Sequence, residues 1–136
     1  MLLLGIDYGS ANIGLAFGRD WLVSPLATIS GKDNNTAIKE IARYAMENKV
    51  SKIVIGLPQT ADGKNTPHAI KVMRFAKLLK IRLKKPITFM NEFATTIESM
   101  EEAIETGISK KRRRSVDHLS AAIILKRYYA ENSDNI

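Results

Sequence analysis

A chain of 136 residues, 45% hydrophobic and 26% charged, can bury one compact α/β core but not two ordinary ones, so residues 1–136 are expected to form a single domain. With no cysteine, thiol catalysis, thiolate metal sites and disulfides are excluded. The formal charge of +7 is unevenly spread: residues 63–91 hold no acid but carry Lys64, Lys71, Arg74, Lys77, Lys80, Arg82, Lys84 and Lys85, and Lys110, Lys111, Arg112, Arg113 and Arg114 are consecutive. Such blocks suit a polyanion, since neutralising phosphates releases counterions; a plainly solvated surface is the other reading.

Leu2 to Ile6 is an apolar run that stops at Asp7-Tyr8-Gly9-Ser10, a buried strand entering a glycine turn. It has no basic leader and is too short for a signal peptide or membrane span, so the expected address is the cytosol, without membrane attachment. Ile13 to Phe17 resumes the apolar pattern as the second arm of a hairpin, and Leu22 to Ile29, with Pro25 inside it, fits an edge strand. After the turn-rich residues 30–35, Thr36 is the expected cap of a helix burying Ile38, Ile41, Ala42 and Ala45. Lys52 to Pro58 is a β-branched strand ended by glycine and proline. From about Pro67 a helix buries Val72, Phe75, Ala76, Leu79 and Leu83 and turns Lys71, Arg74, Lys77 and Lys80 outward.

Pro86 to Met90 reads as a fifth strand, followed by a helix capped at Thr95 or Thr96 and ended by Gly107. The cationic run is an expected loop, and Ser115 an expected cap for a last helix that turns Leu119, Ala122, Ile123 and Tyr129 inward, with fraying after Glu131. Three antiparallel strands followed by βα units give an α/β fold: a mixed five-stranded sheet with helices on both faces.

Three acids fall at element ends: Asp7 after the first strand, Glu92 after the fifth, and Asp117 in the first turn of the last helix. Clustered carboxylates repel unless a cation neutralises them, and magnesium (or manganese) prefers such oxygen ligands while leaving room for phosphate. Two such metals on shared carboxylates fit phosphodiester hydrolysis. Singly, each acid also has a structural reading: Asp7 as an organiser of its turn, Glu92 as a solvated strand end, Asp117 as a favourable charge at a helix N-terminus. The combination carries the catalytic reading. Around it, Gly56, Leu57 and Pro58 shape a loop, Tyr8 and Gly9 the first turn, and His118 stands next to Asp117 as a second polar group or a solvated helix residue.

Leu4-Gly5-Ile6-Asp7-Tyr8-Gly9, Ile13-Gly14-Leu15-Ala16, Ile55-Gly56-Leu57-Pro58, Asp62-Gly63, the Glu92 segment with Thr95-Thr96, and Val116-Asp117 with Ala121-Ala122 together closely resemble the YqgF/RuvX family, in order and over nearly the whole chain. The resemblance implies an RNase H-like fold and a nuclease maturing the 5′ end of pre-16S ribosomal RNA; the family has also been described as Holliday junction resolvases. It implies catalytic and metal-holding roles for Asp7, Glu92 and Asp117; Lys71, Arg74 and residues 110–114 are expected to face nucleic acid on the ground of their charge. The chain departs from the family pattern at Asn12, where an arginine is usual, and at Asn91 and Phe93, where the usual motif is Asp-Glu-Arg. The central Glu92 is kept, but two cations are lost, and the 110–114 run is the candidate replacement clamp.

The expected partner is structured RNA or branched DNA, met by a monomer or weak homodimer. Two rival readings exist. An actin-like phosphotransferase shares the Asp-Tyr-Gly-Ser turn but needs a second half-domain to close on nucleotide. A catalytically impaired nucleic-acid-binding module, motivated by Asn12, Asn91 and Phe93, predicts binding without cleavage.

Overall fold

The computed structural model describes residues 1–60, 62–91 and 116–132, with the side chains of 116–118 excepted. In chain order the elements are β1 (Leu2–Tyr8), β2 (Asn12–Arg19), β3 (Leu22–Ser30), α1 (Asn34–Glu47), β4 (Lys52–Leu57), α2 (Pro67–Leu83), β5 (Ile87–Asn91) and α3 (Val116–Glu131). The expected helix from Thr95 or Thr96 to Gly107, the Ser115 cap and residues 133–136 lie outside the described residues.

The sheet order is β3-β2-β1-β4-β5, antiparallel across β1, β2 and β3 and parallel across β1, β4 and β5. This is the mixed five-stranded sheet read from the sequence. Alternation along each strand divides the core into two layers. Leu4, Ile6 and Tyr8 join Ile13, Leu15, Ile53 and Ile55 beneath Ile41 of α1 and Phe75 and Leu79 of α2. On the other face Leu3, Ala16, Val54 and Met90 meet Ala121, Ala122, Leu125 and Tyr129 of α3. Each fully buried leucine or isoleucine in these layers contributes about 1.5–3 kcal/mol against staying in water.

Local chemistry fixes several boundaries differently from the sequence expectation. Asp33, not Thr36, caps α1: its carboxylate accepts the Asn35 amide at 3.3 Å, and the Thr36 hydroxyl donates to the same carboxylate at 2.6 Å. In α3, Leu119 is exposed and Ile123 half-buried, while Ala121, Ala122, Ile124, Leu125 and Tyr129 are buried. Small residues face inward because α3 lies directly on glycines of the sheet. A Cβ on Gly5 would sit 2.6 Å from Leu125 Cγ and 3.0 Å from the Ala121 carbonyl oxygen. Pro25 stands where the β2–β3 register shifts, with Leu26 as the extra residue, consistent with proline at an edge-strand bulge.

Candidate active site

Asp7 shares the α3 face of β1 with Leu3 and Gly5, since side chains alternate along a strand. Its antiparallel partner on β2 is Gly14. On β4, the parallel pairing Ile6↔Ile55 carries Asp7 to the level of Gly56, which shares the α3 face with Val54. The half-buried Asp7 thus has a glycine as its cross-strand neighbour on each flanking strand. Gly56 in turn pairs with Met90 and Leu57 with Asn91, so the C-terminal ends of β1, β4 and β5 form one rim. Asp7 and the end of β5 are two strand spacings apart, roughly 10 Å between backbones.

Helix α3 runs antiparallel to β1. Tyr129 and Leu125 lie against Gly18, which pairs with Leu3, whereas Ala121 lies against Gly5. The turn of helix before Ala121 advances about 5.4 Å, close to the two-residue step of about 6.6 Å from Gly5 to Asp7. The backbone of Asp117 therefore approaches the Asp7 end of β1 on the Asp7 face. Its side chain, and that of His118, lie outside the described residues, as does Glu92, the residue that follows Asn91 in sequence. Among the described residues no group of three acids or histidines is assembled.

The rim is braced from the opposite layer. His68, second residue of α2, places Nε2 2.9 Å from the Tyr8 carbonyl oxygen. A carbonyl can only accept, so Nε2 carries the proton. Tyr8 itself points away from Asp7: it is buried, its ring stacks on Phe75 at 4.5 Å, and its hydroxyl donates to Asn34 Oδ1 at 3.1 Å. Its contribution to the site is through its backbone. Thr66 caps α2 by accepting the Ala69 amide at 3.0 Å, and its hydroxyl donates to the Pro58 carbonyl at 2.9 Å, which ties the Gly56-Leu57-Pro58 segment to the same helix end. Leu57 is buried in the α1/α2 layer and so acts as core. Gly9 fits because a Cβ there would lie 2.6 Å from the Asn12 carbonyl oxygen. Arg127 of α3 donates to the Asn91 carbonyl at 3.2 Å, tethering the last residue of β5.

Two of these braces, His68 and Arg127, carried no sequence signal beyond being a histidine near a helix start and a cation on the last helix. Each acts on a backbone carbonyl, and a carbonyl partner leaves no trace in residue identities.

The family model described as "RuvX: Holliday junction resolvase" matches residues 1–131. The chain belongs to the RuvX family. A relative from Clostridium tetani named "Putative pre-16S rRNA nuclease" is 37% identical over 131 residues, covering 94% of this chain and 95% of that one. Another of that name from Thermoanaerobacter pseudethanolicus is 34% identical over 132 residues, with the same coverage of 94% and 95%. Among solved structures, Thermus thermophilus RuvC in complex with Holliday junction substrate superposes with a TM-score of 0.62 at 12% identity, covering 98% of this chain and 96% of that one. The fowlpox virus Holliday junction resolvase gives 0.55 at 14% identity, covering 97% and 99%. At such identities the likeness shows the fold, which is RNase H-like.

Lys71 and Arg74, with Lys77 and Lys80, are exposed along α2 of this RuvX-family chain, as the helical spacing implies. Residues 110–114, the candidate phosphate clamp, lie outside the described residues, as does Phe93; Asn12 is exposed at the start of β2 and Asn91 ends β5. No described helix is long and apolar enough to cross a membrane. The three acids expected from the sequence, Asp7, Glu92 and Asp117, would offer only carboxylate oxygens, a set that would suit a hard divalent cation such as magnesium and not a soft metal.

Proposed function

We propose that this chain is a metal-dependent endonuclease of structured nucleic acid, that its reaction is 5′ processing of pre-16S ribosomal RNA, and that it works in the cytoplasm as a single-domain protein. The observation that carries the reading is the placement of Asp7 at the β1 end, between Gly14 and Gly56, on the face that α3 approaches with its Asp117 end. Family membership and the names borne by relatives at 34–37% identity support the substrate.

Asp7, Glu92 and Asp117 would hold magnesium. When bound, the metal supplies Lewis acidity to the scissile phosphodiester and its attacking water. Asp7 contributes a carboxylate fixed by a central strand, so little reorganisation is needed when phosphate arrives. His68 and Arg127 hold the strand ends that set the spacing of the acids. The exposed cations of α2 and the run at 110–114 bind backbone phosphates away from the reacting atoms.

Side-by-side incubation of a labelled pre-16S fragment and a four-way DNA junction, in magnesium, manganese and chelator, tests the reading. Cleavage of the RNA that needs metal and disappears in Asp7→Asn is the expected result. Equal activity in Asp7→Asn removes the assignment of the site. Cutting of the junction alone moves the substrate to branched DNA, and binding without cutting in any metal leaves a nucleic-acid-binding module.

A further inference from the structure

At the end of the sheet opposite Asp7, a cavity of about 280 Å³ is lined by Leu3, Asp20, Trp21, Lys52, Tyr128 and Tyr129, among others. Three features set it apart from ordinary surface. The β2–β3 connection is the two-residue turn Asp20-Trp21, and both residues adopt left-handed backbone, with φ of 50° and 74°. Tight hairpins need this geometry, but asparagine and glycine adopt it cheaply, whereas a tryptophan there is strained. Strain held at a side chain of this size points to a use for that side chain.

Trp21 stacks on Tyr129 with ring centroids 5.2 Å apart, yet 45% of the residue stays exposed. One ring face is backed by a buried tyrosine and solvent reaches the remainder. Lys52 is held in advance: its ammonium donates to the Tyr128 hydroxyl at 2.8 Å and lies 5.0 Å from the centre of that ring. Among the described residues Lys52 makes no ion pair. Its charge is therefore available to an anion, while the Asp20 carboxylate on the same wall can accept a hydrogen bond from an N–H.

We infer that this cavity binds an unpaired nucleotide of the nucleic-acid substrate, its base stacked on Trp21 and its phosphate beside Lys52. The inference rests on the nucleic-acid reading above and adds a second contact remote from the reacting atoms. Aromatic platforms with an adjacent cation hold single-stranded bases in a sequence-tolerant way, because every base has a π face. Asp7 lies four residue steps along β1 from Leu3, about 13 Å. At the stacked spacing of about 3.4 Å per nucleotide, that is roughly four nucleotides from the cut.

Trp21 is the single tryptophan, so its emission reports on this cavity alone. The experiment is a titration of the full chain, in chelator to prevent cleavage, with a fluorescently labelled single-stranded oligouridylate, following tryptophan emission and label anisotropy together. Saturable quenching that tracks the anisotropy is expected. Lys52→Met should lower the slope of log affinity against log salt by about 1, and Trp21→Ala should weaken binding roughly tenfold by anisotropy. Both variants should raise KM for metal-dependent cleavage by more than they lower kcat, since the contact is not made by the reacting atoms.

Anisotropy that rises while Trp21 emission stays constant overturns the inference and leaves the nuclease reading standing. Absence of oligouridylate binding at every salt concentration also overturns it, and the nuclease reading is then decided by cleavage of the pre-16S fragment alone. A change in Trp21 emission with protein concentration, and none with oligonucleotide, also overturns it and assigns the face to a second copy of the chain.

Discussion

His68 Nε2 donates to the backbone carbonyl of Tyr8, and that bond joins the first turn of α2 to the residue directly after Asp7. Helix and strand belong to different parts of the chain, 60 residues apart, so the bond sets the height of the β1 end against the α2 end.

His68→Ala is expected to cost about 1 kcal/mol of stability, the usual worth of one side-chain hydrogen bond, and to lower kcat with little change in KM. His68→Gln, which keeps a donor amide, should recover part of the rate. Urea unfolding and steady-state cleavage measure the two effects. A positioning role requires the rescue; equal loss of rate in both variants, at equal stability, would argue that the imidazole acts on the substrate itself.

Helix α3 touches β1 at Gly5, where a methyl group has nowhere to go: Leu125 Cγ at 2.6 Å and the Ala121 carbonyl oxygen at 3.0 Å both stand in its place. The side chain can rotate, but the helix backbone cannot without moving α3. Gly5→Ala should destabilise by about 1–3 kcal/mol, as overpacked cores do. Because α3 also carries Asp117, cleavage should fall by more than stability alone accounts for. The check is activity at a temperature where the variant remains fully folded by circular dichroism.

The frame of the fold was legible because hydrophobic period decides it. Leu4, Ile6 and the β-branched run at Ile53 to Ile55 read as strands in any context, and Ile38, Ile41, Ala42 and Ala45 lie on one buried face of α1 as their spacing requires. What sequence could not show depends on contacts between distant segments. The inward face of α3 is chosen by the glycines at positions 5 and 18, so Ala121 and Leu125 displaced the larger Leu119 that hydropathy favours. Asp33 won the α1 cap from Thr36 because two acceptor oxygens serve two donors at once. In the site, Asp7, Glu92 and Asp117 were each read as an acid at the end of an element, and the resemblance implied a shared role for all three. The Asp20-Trp21 turn lacks the glycine or asparagine that announces a tight hairpin, and it went unread for that reason.

The Asp33 cap has a pH signature. Hydrogen bonding, first from the Thr36 hydroxyl and also from the Asn35 and Thr36 amides, holds its carboxyl below the ordinary value of 3.8. A group whose pKa is lower in the folded chain contributes stability that is complete above its unfolded value and is lost as pH falls through its folded value. The unfolding midpoint of the protein should therefore drop below pH 3.8 more steeply than that of Asp33→Ala. Parallel acid profiles would show that the cap bonds do not persist in solution.

Tyr129 presents the opposite case. Its hydroxyl is buried and has no hydrogen-bond partner among the described residues, and the nearby Trp21 backbone offsets only part of the effect of burial. Burial raises its pKa above 10.0, so the unfolded chain ionises first and stability should fall as pH rises through 10.0 and beyond. Tyr129→Phe should flatten that alkaline limb. It should also leave stability unchanged or raise it by up to about 1 kcal/mol, since an unsatisfied buried polar group is removed. Gly18→Ala supplies the coupling test, because its Cβ would lie 2.9 Å from the Tyr129 hydroxyl. Alone it should destabilise by about 1–2 kcal/mol. Combined with Tyr129→Phe it should cost less than the sum of the single changes by at least about 0.5 kcal/mol. Strict additivity in urea unfolding would place the hydroxyl away from Gly18 and undo the packing assigned to this end of α3.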